Sequence, residues 1–209
     1  MSWIGRKTVF TMCLIILAAS ALSCHFLMKI NRTLLSCLFG SLLLSSVTFG
    51  LNAQTKLTNQ SKVYINGIGS VRVGMTVAEA SIAAGTKLIR EGASQTESCF
   101  YVQPREPKNM AFMVTNNRIS RVEVWEKNKS ITTLNGAKIG DTEAKIKSLY
   151  PKQIQVTPHK YVQGGHYLTV VPKDASDKNY RIVFETDGKK VNRFRSGKLP
   201  EVEYVEGCS

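Results

Sequence analysis

Val73-Gly74-Met75-Thr76 and, 66 positions later, Ile139-Gly140-Asp141-Thr142 decide how this chain is read. Each opens a short helical pattern. Thr76-Val77-Ala78-Glu79 is a capping box, in which the Thr hydroxyl accepts from the third helical amide and Glu79 returns to the amide of the cap. A helix through Ala84 follows, with Gly85 placed to end it and Val77, Ala80 and Ala84 as its small apolar face. The second helix starts at Asp141 or Thr142 and stops at Tyr150-Pro151, with Ile146, Leu149 and Tyr150 on one face. Lys145 stands where the reciprocal Glu would be, so the second cap is expected to be the weaker.

Strands follow each helix. The first set is Cys99 to Gln103, Ala111 to Thr115 and Arg118 to Trp125; the second is His166 to Val171, Tyr180 to Thr186 and Lys190 to Arg195. Asn116-Asn117 and Asp187-Gly188 sit between paired strands, where hairpin turns need residues tolerant of positive φ. Val63-Tyr64-Ile65 reads as a first short strand, and Glu201 to Glu206 alternates enough for a last edge strand. The expected fold class is α+β: two tandem units of helix plus antiparallel meander, residues 63–130 and 131–209, with both helices on one face of a sheet.

The first 53 residues contain no acidic residue and two apolar runs, Val9 to Leu27 and Thr33 to Leu51, each preceded by basic residues. That is export-signal chemistry. Met28-Lys29-Ile30-Asn31-Arg32 followed by Leu34 to Leu44 forms a complete signal peptide by itself, with Gly50 or Ala53 as cleavage points, so Met28 is read as the true start. A retained membrane anchor over Val9 to Leu27 is the alternative. Leu22-Ser23-Cys24 and Leu35-Ser36-Cys37 match a lipid-attachment motif only in part. Residues 54–62 are polar and aperiodic, as a linker would be.

Beyond the signal region, 24 Lys and Arg stand against 15 Asp and Glu, a net charge near +9. Such a charge suits an anionic partner, whether an acidic protein face or an anionic envelope polymer or lipid; solubility alone is the plainer account of scattered lysines. Nucleic acid is not an expected partner, and no cofactor is expected. Cys99 and Cys208 are the two cysteines of the exported part, and an oxidising compartment favours a disulfide between them, tying the end of the chain back to the first unit.

Alternation assigns side chains to sheet faces. With Val122, Val124 and Phe194 toward the helices, Arg121, Glu123, Arg193 and Arg195 face the other way, joined by Tyr101 and Tyr167. Tyr101, Arg121, Tyr167, Arg193 and Arg195 are therefore the expected binding residues, because Tyr and Arg dominate protein interfaces. The competing reading is a solvated face with cross-strand ion pairs. His159 and His166 flank the Gly164-Gly165 turn and are a second candidate site, for a metal or a hydrolytic reaction, but a third ligand and a nucleophile signature are lacking. The chain is therefore not expected to be an enzyme.

Gly-Met-Thr opening a helix, Ala84-Gly85-Thr86 ending it, a Tyr-Val strand, and then strand, turn and strand resemble the repeat of β-lactamase-inhibitor proteins and of the small outer-membrane assembly lipoproteins of the SmpA/OmlA type. The match runs from Ile68 to Trp125; the second unit, Gly136 to Ser196, keeps the layout and departs at Asp141, where the motif has Met. The resemblance implies a periplasmic or secreted, non-catalytic protein that engages an envelope protein through an open sheet face, as an inhibitor or as an assembly accessory.

Overall fold

The computed structural model describes residues 56–92 and 96–208, so the expected signal region, anchor and start at Met28 lie outside the described residues. The larger of two sheets has eight strands, all antiparallel. Its first half is β4 (Leu88–Arg90), β5 (Cys99–Pro104), β6 (Met110–Thr115) and β7 (Arg118–Val124). Its second half is β9 (Ile154–Pro158), β10 (His166–Val170), β11 (Tyr180–Thr186) and β12 (Val191–Lys198). The spatial order is β4-β5-β6-β7-β12-β11-β10-β9, so the two halves join along β7 and β12, with Phe194 opposite Val124 and Gly197 opposite Arg121. A second, mixed sheet of four strands holds β1 (Lys62–Tyr64), β2 (Gly67–Ile68), β3 (Val71–Arg72) and β8 (Thr132–Thr133).

This corrects the expected fold class. Among the described residues the protein is mostly β, with a continuous eight-stranded sheet, a four-stranded sheet and two short helices, rather than two helix-plus-meander units. Helix α1 (Val77–Ala84) stops where Gly85 takes a left-handed conformation, φ 61°, and α2 (Glu143–Leu149) stops at Tyr150 before Pro151, both where the sequence places the ends. Two physical features explain the difference. Segments that carry too few residues to show periodicity gain strand geometry from their pairing, Gly67–Ile68 from tight turns to β1 and β3 and Thr132–Thr133 from the distant strand β1. The central edges, β7 and β12, satisfy their backbone groups against each other, which fuses the meanders.

Local chemistry matches the sequence at the caps and turns. Thr76 Oγ1 accepts from Glu79 N–H at 3.2 Å, and Glu79 Oε2 accepts from Thr76 N–H at 2.8 Å. The bonds that Thr76 donates to Glu79 Oε2, from its N–H and from its hydroxyl at 3.0 Å, hold the Glu79 carboxyl below the usual range. At α2 the hydroxyl of Thr142 accepts from Lys145 N–H with no reciprocal carboxylate, so the second cap is half of the first. Asn116 and Asn117 both have positive φ, as a tight hairpin turn with right-handed flanking twist requires.

One face of the large sheet carries the main core. Val102, Phe112, Val122, Phe184 and Phe194 pack there with Ala80 and Ala84 of α1, Ile146 of α2 and Val63 and Ile68 of the small sheet. Aromatic rings of Phe184 and Phe194 meet at 5.6 Å between centroids. The other face carries the charged residues, and its fate decides the functional reading.

Candidate functional site

Cross-strand register places Tyr101, Met113, Arg121 and Gly197 in one row, and Ala111, Glu123, Arg195 and Val183 in the next. Tyr167 lies opposite Glu185, and Glu185 opposite Arg193. The five expected binding residues thus share a face, as alternation requires, but that face is not open. After β12 a short 3-10 turn, Glu201–Glu203, crosses it, and the expected edge strand over Glu201 to Glu206 does not form. Val202 is fully buried against Tyr167 and Val183, with Leu199 and Val205 beside it.

The covered residues are consumed by this contact. Arg121, 2% exposed, donates to the carbonyls of Glu201 and Tyr204, each at 2.8 Å, and to the Tyr101 hydroxyl at 2.7 Å. It also pairs with Glu123, which accepts from Tyr101 at 3.0 Å and from the Trp125 indole N–H at 3.1 Å. Arg195, also 2% exposed, donates through Nε to the Val202 carbonyl at 2.6 Å and pairs with Glu185. Burial opposes the charge on Glu123, but the Arg121 guanidinium and the bonds from Trp125 and Tyr101 hold its carboxyl below the usual range. Burial, then the neighbouring Glu123 carboxylate, pushes the Tyr101 hydroxyl well up, so it remains a protonated donor.

The disulfide between Cys99 and Cys208 is present and pins the end of this cover to β5, closing a sequence separation of 109 residues. Next to it, Gly207 has φ 71°, and a Cβ there would lie 2.5 Å from the Tyr101 hydroxyl. A glycine is needed at that approach.

Arg193 is the exception among the five. The β11–β12 register steps from Glu185 opposite Arg193 to Thr186 opposite Val191, so Asn192 is the extra residue of a bulge. The bulge lets Val191 enter the core while Asn192 and Arg193 both stay exposed. They line a cleft of about 580 Å³ with Trp125, Tyr161, His159 and Val205. A second cleft of about 530 Å³ shares Glu126, Lys127 and Asn192 with the first and adds Lys129 and Lys190. Tyr161 is 61% exposed, and its hydroxyl bonds Glu206, which also pairs with Lys160 at 2.9 Å; the tail thereby forms a wall of the cleft.

The two histidines do not meet. His166 lies opposite Pro158 on the helix side of the sheet, where Nδ1 is 2.8 Å from Glu143 Oε1. Burial opposes the Glu143 charge, but hydrogen bonds from Thr186 and His166 hold that carboxyl below its usual range. His159 faces the other side, stacked on Tyr167 at 4.5 Å, with Nδ1 accepting from the N–H groups of Tyr161 and Val162 and Nε2 3.6 Å from Glu185. Each imidazole serves a loop or a helix end rather than a shared ligand. Sequence reasoning missed Trp125, Tyr161 and Asn192 as cleft residues; the bulge and the path of the tail carry that information, and neither has a local signature.

No family model matches this chain, and no curated protein matches it. Among solved structures it is similar to the crystal structure of the uncharacterized protein YfeY from Escherichia coli, with 16% identity and a TM-score of 0.42 over 66% of this chain and 99% of that one. That likeness does not bear on ligand, partner or role.

Proposed function

We propose that this chain is an exported, non-catalytic binding protein that engages a protein partner of the cell envelope, and that the partner contact is the cleft around Arg193 rather than the whole sheet face. The observation that carries this reading is the exposure of Arg193 beside Trp125 and Tyr161 in one cleft. Trp, Tyr and Arg are the side chains that most often concentrate binding energy at interfaces. The Arg121–Glu123 and Arg195–Glu185 ion pairs beside it hold the cleft frame in place before any partner arrives, which lowers the ordering cost of association. Inhibition of an enzyme and assistance in envelope assembly are the two forms of activity that the sequence resemblance implies. The export-signal chemistry of residues 1–53 supports a periplasmic or secreted location.

The test is photo-cross-linking in cells that export the full chain, with the cross-linking residue at Asn192. The expected result is one discrete protein adduct that persists in about 1 M salt, where exposed charges are screened beyond about 3 Å, and that is lost in Tyr161→Ala/Arg193→Ala. Recovery only of polyanionic polymer or lipid that washes off in salt, unchanged in that variant, overturns the reading in favour of electrostatic attachment.

A further inference from the structure

We propose that the Cys99–Cys208 disulfide is a redox latch on the cleft, which keeps its partner-binding shape only while that bond is oxidised; this rests on the protein-binding reading above. The latch acts through the tip of the tail. Glu206 accepts from the Tyr161 hydroxyl and pairs with Lys160 at 2.9 Å, and Val205 lines the cleft beside Trp125 and Arg193. Tyr161 is therefore set by the tail. Its own loop fixes its backbone, where its N–H donates to His159 Nδ1 at 3.1 Å. Its exposed ring meets the His159 ring only edge to face, 6.5 Å between centroids, so the hydroxyl bond to Glu206 decides where the ring points.

The tip is held far less firmly than the tail before it. Arg121 and Arg195 grip the carbonyls of Glu201, Val202 and Tyr204. From Val205 to Cys208, among the described residues, there is no backbone–backbone hydrogen bond. The Lys160 and Glu206 side chains are 57% and 53% exposed, and an ion pair in that setting contributes little. Ordering four residues costs more conformational entropy than such a contact returns. The covalent tie at Cys208, two residues past Glu206, offsets that cost by leaving the chain no loose end. With the tie cut, the chain frays from Val205, Glu206 leaves Tyr161, and a partner must order that ring again. Both cysteines are half-buried, so a dithiol protein reaches them. One of its thiolates attacks a sulfur of the bond; the Cys99–Cys208 link breaks as a mixed disulfide forms, and the released sulfur takes up a proton. Its second thiol then resolves the mixed disulfide. Two electrons and two protons pass to this chain, which keeps two thiols, and the dithiol is oxidised to a disulfide.

The probe is dithiothreitol, itself a dithiol, titrated into the exported protein while NMR follows the amides of Tyr161 and Val162 and the Trp125 indole. Opening the bond is expected to move these signals toward their positions in Glu206→Ala, in which the bond is intact and thermal unfolding should match the native chain, and to leave the amides of residues 201 to 204 in place. In cells, the yield of the cross-link at Asn192 is expected to fall roughly threefold to tenfold in both Cys99→Ser/Cys208→Ser and Glu206→Ala, the cost of ordering one or two interface side chains. A bond that resists dithiothreitol in the folded protein, cleft signals that do not move when it opens, or loss of the whole fold on reduction overturns the latch. So does a full cross-link yield in Glu206→Ala. If every form captures the same protein equally, the latch falls and the binding function stands. If the signals move as expected but no form captures a protein, the latch stands as a conformational device and the protein-partner reading falls.

Discussion

Arg121 and Arg193 occupy the same face of the same sheet and do opposite things. Arg121 is sealed beneath Glu201–Glu203, where its guanidinium serves two tail carbonyls, a tyrosine hydroxyl and a glutamate. Arg193, at the bulge beyond the end of β7, lines a cleft and, among the described residues, makes no ion pair. The first is an internal crosslink made of charge, and the second is an exposed cation. A residue type on a predicted face therefore says little about use until the cover over that face is known.

The comparison is broken most forcefully by Arg121→Ala. This leaves Glu123 buried without its guanidinium and frees two tail carbonyls, so the expected loss is about 3 to 5 kcal/mol, the cost of halving a buried pair. Denaturant titration beside Arg193→Ala measures it, and similar midpoints for the two variants would show that the covered and open arginines do not differ. Cys99→Ser/Cys208→Ser comes next. Releasing a crosslink of this span costs about 2 to 4 kcal/mol, and amide exchange should quicken first at residues 205 to 208, since Arg121 and Arg195 still hold residues 201 to 204. Uniform protection along the tail would argue against that division.

Acidity sharpens the same contrast. The Glu123 carboxyl is held below its ordinary value of 4.5 in the folded protein, so the unfolded chain takes up its proton first on acidification. Its contribution is complete above about pH 4.5 and is lost as the pH falls through the folded value. Stability should therefore decline on the acid side, with a shallower decline in Glu123→Gln; the other carboxyls held low, among them Glu79, Glu143 and Glu201, contribute to the slope that remains. An identical slope in Glu123→Gln would remove the buried pair from the explanation. The smallest effect belongs to Arg193→Ala, within about 0.5 kcal/mol of native stability as for other exposed sites. A loss near that of Arg121→Ala would mean that Arg193 is a structural group and not a binding one.

Much of this was legible in the residues. The capping box at Thr76, the weaker cap at Thr142, the Asn116-Asn117 turn and seven of the strands follow from local chemistry, and the Cys99–Cys208 bridge follows from the cysteine count beyond the expected signal region. Alternation also put Tyr101, Arg121, Tyr167 and Arg195 on one face. Three matters were not legible. Glu201 to Glu206 alternates like a strand, yet its Val202 gains more by burial against Tyr167 and Val183 than by lengthening an edge. The bulge at Asn192 shifts the parity of β12 and depends on its partner strand. The joining of β7 to β12 is a contact between segments about 70 residues apart, and nothing local encodes it.

By itself the sequence determined the places where helices begin and end, which turns are tight, which side chains share a face and that two cysteines are available to close the chain, because these depend on backbone preference and period over a few residues. Only the tertiary structure decided that the meanders fuse into one sheet, that the tail lies across the charged face, and that Arg193 alone of the five stays exposed. Those outcomes depend on which distant surface most fully removes apolar area from water while giving every buried charge a partner, and that competition is settled only when the whole chain packs.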